Sequence, residues 1–141
     1  MNNSNKMSLR SKCPLSCALD ILGDKWSLLI IRDMLHFNKK TFKDFFASNE
    51  NIATNILSSR LKRLESFGII SKNKLKNNKK SNIYKLTNSG LKLIPAILEL
   101  SRWGSENIKA LNSKQLDFLN IENDREKVIK SMRNAYINSV K

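Results

Sequence analysis

The chain is 141 residues long, one domain's worth with room for a short extension. Hydrophobic residues make up 40%, Gly and Pro number only four and two, and Lys plus Arg outnumber Asp plus Glu by 26 to 12, a formal net charge of +14. Such a composition excludes a disordered tail, a low-complexity linker and a two-domain enzyme, and the charge on a folded chain points to a polyanionic partner.

Residues 1–12, MNNSNKMSLRSK, read as a flexible, polar and basic arm. No apolar run of the roughly 7–15 residues that a secretory signal needs follows it, so a cytoplasmic protein is expected. Leu15, Ala18, Leu19 and Leu22 then fall at helical spacing, which predicts a helix over 14–23 with Pro14 in its first turn and Gly23 at its end. Asp24 is placed to cap a second helix, 25–35, that presents Trp26, Leu29, Ile30 and Leu35. Its Leu28-Leu29-Ile30-Ile31 is the longest purely apolar stretch, far below the roughly 18–20 residues of a membrane span. His36 is read as a surface or cap residue, and Asn38 as a left-handed stop. Thr41 caps a short third helix, 42–47, whose Phe42, Phe45 and Phe46 are expected to face inward.

Residues 52–67 form the clearest helix, with Leu57, Leu61 and Leu64 at i, i+4 and i+7 and Gly68 closing the end. Its other face is small and polar, with Thr54, Asn55, Ser58, Ser59, Lys62 and Ser66 flanked by Arg60 and Arg63, where an ordinary solvated helix carries Glu/Lys pairs. After Gly68 the period becomes two: Ile69 to Leu75 and Asn82 to Thr87 read as strands joined by a hairpin with Asn77, Asn78, Lys79 and Lys80 at its tip. A long helix then runs from a cap at Thr87, Asn88 or Ser89 to Trp103, with a bend expected at Pro95. A last amphipathic stretch, about 123–138, sets Val128, Ile129, Met132, Ala135 and Tyr136 on one face.

The positive charge is uneven. Residues 41–88 hold ten Lys/Arg and three acids, a surplus of seven and half of the total, much of it in the hairpin. The predicted fold is therefore mainly α with a small β-hairpin: a winged helix-turn-helix DNA-binding domain, in which one helix enters the major groove and the hairpin lies along the backbone. Two cysteines, Cys13 and Cys17, and one histidine fall short of the roughly four ligands of a structural zinc site, so neither metal nor cofactor is expected. No phosphate-binding glycine loop, nucleophile elbow or metal motif is present, which speaks against an enzyme.

The segments CPLSCALDILGDKWSLLIIRDML, TFKDF, NIATNILSSRLKRLESFGII, IYKLTNSG and LIPAILELSRWG, in that order over residues 13–104, resemble the HxlR-type family of bacterial winged helix-turn-helix transcription regulators. The resemblance implies a homodimer on DNA, held by the N-terminal segment and the long C-terminal helix, with Leu9, Leu98 and Trp103 at the dimer contact. It makes 52–67 the recognition helix and 69–87 the wing. The fold is expected to carry N- and C-terminal dimerisation helices, and residues 105–141 extend past the match as a C-terminal helical extension to which no role is assigned. Three departures stand out: Thr41 replaces a commonly basic residue, with Lys39 and Lys40 beside it; Ala53 stands where Ser often caps the recognition helix, leaving the cap to Asn51 or absent; and the wing has lysines and asparagines in place of prolines.

On this reading Thr54, Asn55, Ser58, Ser59, Arg60 and Lys62 meet double-stranded DNA in the groove, with Asn55 suited to adenine and Thr54 to a thymine methyl. Lys40, Lys76, Lys79 and Lys80 meet phosphates. Cys13, next to Pro14 at a helix start and near Arg10 and Lys12, sits where negative charge on sulfur is favoured, so it is the candidate sensor of an oxidant or small-molecule effector. Cys17 is read as packed core, and Trp26 likewise. The expected function is a homodimeric regulator, a repressor by default, on a pseudo-palindromic operator. The alternative is a basic RNA-binding or ribosome-associated protein, against which stands the lack of exposed aromatic residues interleaved with the charge.

Overall fold

The computed structural model of the chain describes residues 10–77, 80–109 and 125–141. It has two units, one up to Gly90 and one from Leu91 on. The first contains α1 (Pro14–Leu22), α2 (Ser27–Phe37), α3 (Phe42–Phe46), α4 (Thr54–Ser66) and the antiparallel strands β1 (Ile70–Lys74) and β2 (Asn82–Leu86). The short α5 (Asn88–Leu91) crosses the division, and the second unit holds α6 (Ile94–Asn107) and α7 (Arg125–Ser139). This is the mainly helical, hairpin-bearing order that the sequence predicts, with boundaries differing by one or two residues except in the long helix expected to end at Trp103, which is split into α5 and α6 and runs on to Asn107.

Apolar periodicity builds the first unit. Leu57, Leu61 and Leu64 of α4 are buried against the layer that includes Ile30, Ile31 and Met34 of α2, Phe45 of α3 and Ile70 of β1. Turn chemistry fixes where the elements stop. Asn38, at φ 50°, ends α2 in the left-handed region. Gly68, at φ +70°, ends α4, with the Gly68 and Ile69 N–H groups donating to Glu65 and Leu64 carbonyls at 2.9 Å. Strand register pairs Ile70 with Leu86, Lys72 with Tyr84 and Lys74 with Asn82, so these six share one face of the hairpin. Thr87 closes the unit: its hydroxyl donates to the Gly68 carbonyl (2.5 Å) and accepts from Gly90 N (3.1 Å), and Gly90 approaches Ile69 so closely that a Cβ there would lie 2.3 Å from its carbonyl oxygen.

Several expectations are corrected. Only Phe45 of the α3 phenylalanines is buried; Phe42 and Phe46 are 37% and 49% exposed, because a five-residue helix turns just one of the three inward. Pro95 does not bend a continuous helix. The helical path breaks at Lys92–Leu93 and Pro95 sits in the first turn of α6, where its missing N–H has no bond to lose. Of the two expected outcomes at the start of α4, a cap from Asn51 or none, the second holds: Asn51 takes a left-handed φ of 58°, and Ala53 precedes the helix with no side-chain cap. Trp26 and Cys17 are half-buried, not core, and His36 is half-buried in contact with Phe37, not a surface residue. Burial pushes the His36 imidazole pKa down, with the neighbouring Arg32 charge adding to the effect and Asp33 opposing it.

In the second unit, α6 and α7 touch, Arg125 Nε lies 3.1 Å from Glu99 Oε1, and Tyr136 is the buried residue of α7. Leu98, expected at a dimer contact, is only 3% exposed and belongs to the interior, whereas Trp103 is 62% exposed. Leu9 lies outside the described residues. Among the described residues, no helix is long and apolar enough to cross a membrane, and no group of three His, Cys, Asp or Glu is placed to hold a metal ion.

Candidate nucleic-acid interface

Helix α4 is held by its leucines and presents a polar face. Thr54, Asn55, Ser58, Ser59 and Lys62 are all exposed, in keeping with the sequence-predicted polar face. The flanking guanidiniums go elsewhere. Arg60 Nε lies 3.0 Å from Asp24 Oδ1, with both side chains 24% exposed, and Arg63 donates to the Asp20 carbonyl. Arg60 was expected among the DNA contacts, and its guanidinium is instead engaged with the turn between α1 and α2. The face left to a partner is consequently short side chains plus one lysine.

Asp24 has a second task. Its Oδ1 accepts from Trp26 N (2.8 Å) and Ser27 N (2.9 Å), and Oδ2 accepts from the Ser27 hydroxyl (2.5 Å), so it closes the start of α2 as the sequence predicts. Burial pushes its carboxyl pKa up, but the Ser27 hydroxyl, the two N–H groups and Arg60 outweigh that and hold it below the ordinary value. One carboxylate thus ties the α1–α2 turn to α4.

The helix-turn-helix pair α3–α4 is set by two polar devices. Thr41 and Asp44 form a capping box: Thr41 Oγ1 accepts from Asp44 N at 3.2 Å, while Asp44 Oδ2 accepts from Thr41 N at 3.1 Å and Lys40 N at 3.0 Å. The second device escaped sequence reasoning. Arg32 donates to Asp33 (2.6 Å) and to Glu50 (2.6 Å), Lys39 Nζ lies 3.4 Å from Asp33, and the Ser48 hydroxyl is 2.9 Å from both carboxylates. Asp33 is 2% exposed, so this network fastens the turn between α3 and α4 onto α2. The Arg32 guanidinium is the main reason that the Glu50 carboxyl falls from 4.5 to about 2.

Between α3, α4 and the hairpin lies a groove that includes Lys43, Ser58, Lys62, Lys72, Lys80 and Ser81 in its walls. Its base is firm: Leu61 and Tyr84 are buried, Tyr84 N donates to the Lys40 carbonyl at 2.7 Å, and the Tyr84 ring meets Phe45 edge-on at 6.1 Å. Lys43 and Lys72 were not among the predicted site residues. They come from different elements with unremarkable local sequence, so only the fold brings them to Lys62. Lys76 is exposed in the hairpin loop, and Lys79 lies outside the described residues. Lys40 is half-buried, and its backbone serves both Asp44 and Tyr84.

Cys13 is the exposed residue that precedes α1, its N–H donating to Ser11 Oγ at 3.0 Å. Cys17, one turn on, donates from Sγ to the Ser11 carbonyl at 3.2 Å. Arg10, expected to lend charge to Cys13, is paired with Asp20.

Helix, turn, recognition-type helix and basic hairpin in this order are matched by known proteins. The HxlR-like helix-turn-helix family matches residues 21–112. The chain belongs to this family. It is 32% identical over 101 residues to YvaP of Bacillus subtilis, an uncharacterized HTH-type transcriptional regulator, covering 71% of this chain and 93% of that protein. Among solved structures of this kind, the reduced form of the transcriptional regulator YodB from B. subtilis aligns with a TM-score of 0.57 at 27% identity, over 72% of this chain and 100% of the other. The redox regulator HypR in its oxidized form aligns at 0.59 and 29% identity, over 67% and 97%. HxlR-like relatives are thus transcriptional regulators with a helix-turn-helix, and the family match leaves α7 outside its span.

Proposed function

We propose that this HxlR-like chain is a cytoplasmic, sequence-specific regulator that binds a pseudo-palindromic operator in double-stranded DNA as a homodimer and represses by occluding the promoter. The observation that carries this reading is the outward face of α4: small hydrogen-bonding side chains over a leucine core, cleared of the two arginines that turn back to Asp20 and Asp24. A helix must be slim and polar on one side to bring Asn55 and Thr54 to base edges in the major groove. Lysines of the hairpin supply the sequence-independent attraction to phosphates.

Dimerisation is supported by apolar surface that a monomer rarely leaves bare. Leu15 and Leu19 of α1 are 67% and 52% exposed, and Leu100 and Trp103 of α6 are 57% and 62% exposed. In this reading Trp103, with Leu100 beside it, takes the place that Leu98 vacates by being buried. Response to an oxidant through Cys13 is supported by its exposure at the start of α1 and by the structural likeness to HypR and YodB.

Titration of the wild type and Asn55→Ala against single-base-pair variants of a bound duplex tests the reading. The variant is expected to lose about tenfold to a hundredfold in affinity and to stop discriminating at one base pair per half-site, in line with the ~1–3 kcal/mol of a base contact. A loss equal on all duplexes, or none, counts against α4 as the reader. For Cys13, a Cys13→Ser protein that releases DNA on oxidant treatment as the wild type does removes the sensor role.

A further inference from the structure

The groove beside α4 divides that helix's outward face in two. Ser58 and Lys62 open into it, together with Lys43 from α3 and Lys72 and Lys80 from the hairpin, whereas Thr54, Asn55 and Ser59 do not line it. We infer that this groove holds one sugar–phosphate strand of duplex DNA, and that Lys43, Lys62 and Lys72 are phosphate contacts which set the register of α4 without reading bases.

Three features argue for a phosphate strand there. Four lysines from three separate parts of the fold line one concavity, and no carboxylate lines it among the described residues. Lys72 Nζ lies 3.9 Å from Glu65, with both side chains about 40% exposed. A pair that long and that wet is worth little and is readily exchanged for a phosphate. The same groove is lined by Thr41, Ser58 and Ser81, whose short hydroxyl side chains are donors of the kind that meet phosphate oxygens. The groove is also preorganised. The Tyr84 N–H bond to Lys40 fastens β2 to the segment that leads into α3, and the Tyr84 ring meets Phe45, so the base of the groove is held in place by the fold itself. A chain of phosphates running between a helix lodged in the major groove and a hairpin beyond it passes through this cleft.

This inference rests on the DNA-binding reading, and the two can fail separately. The test is duplex affinity as a function of salt for the full-length wild type, Lys43→Ala/Lys72→Ala and Lys62→Ala, each also passed through selection from a random duplex library. Thermal melts check that the exposed lysines can be replaced without unfolding. Each lysine removed is expected to lower the slope of log affinity against log salt by about 0.9, with the selected motif unchanged. If the wild type selects a motif and the double variant keeps its full salt slope, the groove assignment is overturned while the DNA-binding reading stands. If Lys62→Ala changes the selected motif, Lys62 reads a base and its assignment as a phosphate contact is overturned. If the wild type selects no duplex at all, both readings fall together.

Discussion

The polar face of α4 is shaped as much by the side chains that leave it as by those that stay. Arg60 and Arg63 belong to the helix that carries Asn55, yet both are engaged within the chain itself, by Asp24 and by the Asp20 carbonyl. Removing Arg60 should therefore act on stability and not on DNA attraction. Arg60→Ala is expected to lower stability by an amount between the ~1 kcal/mol of an exposed ion pair and the ~3 kcal/mol at which buried ones begin, while leaving the salt slope of duplex binding as it was. Denaturant melts and a salt titration measure the two effects independently. None of these pairings was legible in the sequence. Asp24 was read correctly as a cap, because a cap is a local pattern, but its partner lies 36 positions away and no spacing rule connects them. The same holds for Lys43 and Lys72, which reach Lys62 only through tertiary folding.

Elements were far more readable, and for a physical reason: helix and strand periods, glycine stops and cap residues act within a few positions. Leu57, Leu61 and Leu64, Gly68, Thr41 and the alternation after Ile69 all did in the structure what their patterns imply. Failures came where a local pattern met a limit of length or geometry. Three phenylalanines in α3 cannot all face inward in a helix of five residues, and Pro95 opens α6 where a bend within one helix was expected. Helix α4 itself starts without a side-chain cap at Ala53. Ala53→Ser places a hydroxyl acceptor where the first-turn N–H groups lack one, and is expected to raise stability by about 0.5–1 kcal/mol. A shift of the denaturation midpoint at unchanged slope checks it, and a loss of stability shows that the hydroxyl cannot reach the first turn.

On the scale of the whole molecule, charge and acidity govern behaviour. The +14 chain is drawn to polyanions, but its fold depends on a few carboxylates held ionised. Glu50, moved from 4.5 to about 2 chiefly by Arg32, contributes stability that is complete above its ordinary value and is lost as pH falls from 4.5 towards 2. His36 has the same sign. Its pKa is lowered by burial, so the folded state prefers the neutral ring, and its contribution is lost as pH falls below 6.5. The melting temperature is therefore expected to decline in two stages on acidification, and Glu50→Gln should flatten the more acidic one; an unchanged profile in that variant means the Arg32 network does not hold the helix-turn-helix turn. The measurement that bears most directly on the account is selection of bound sequences from a random duplex library at physiological salt by the full-length protein. Two α4 helices presented by a symmetric dimer are expected to enrich a two-fold repeat with half-sites about 10 bp apart. Enrichment of an asymmetric motif contradicts the dimer, and enrichment of none contradicts sequence-specific reading by α4.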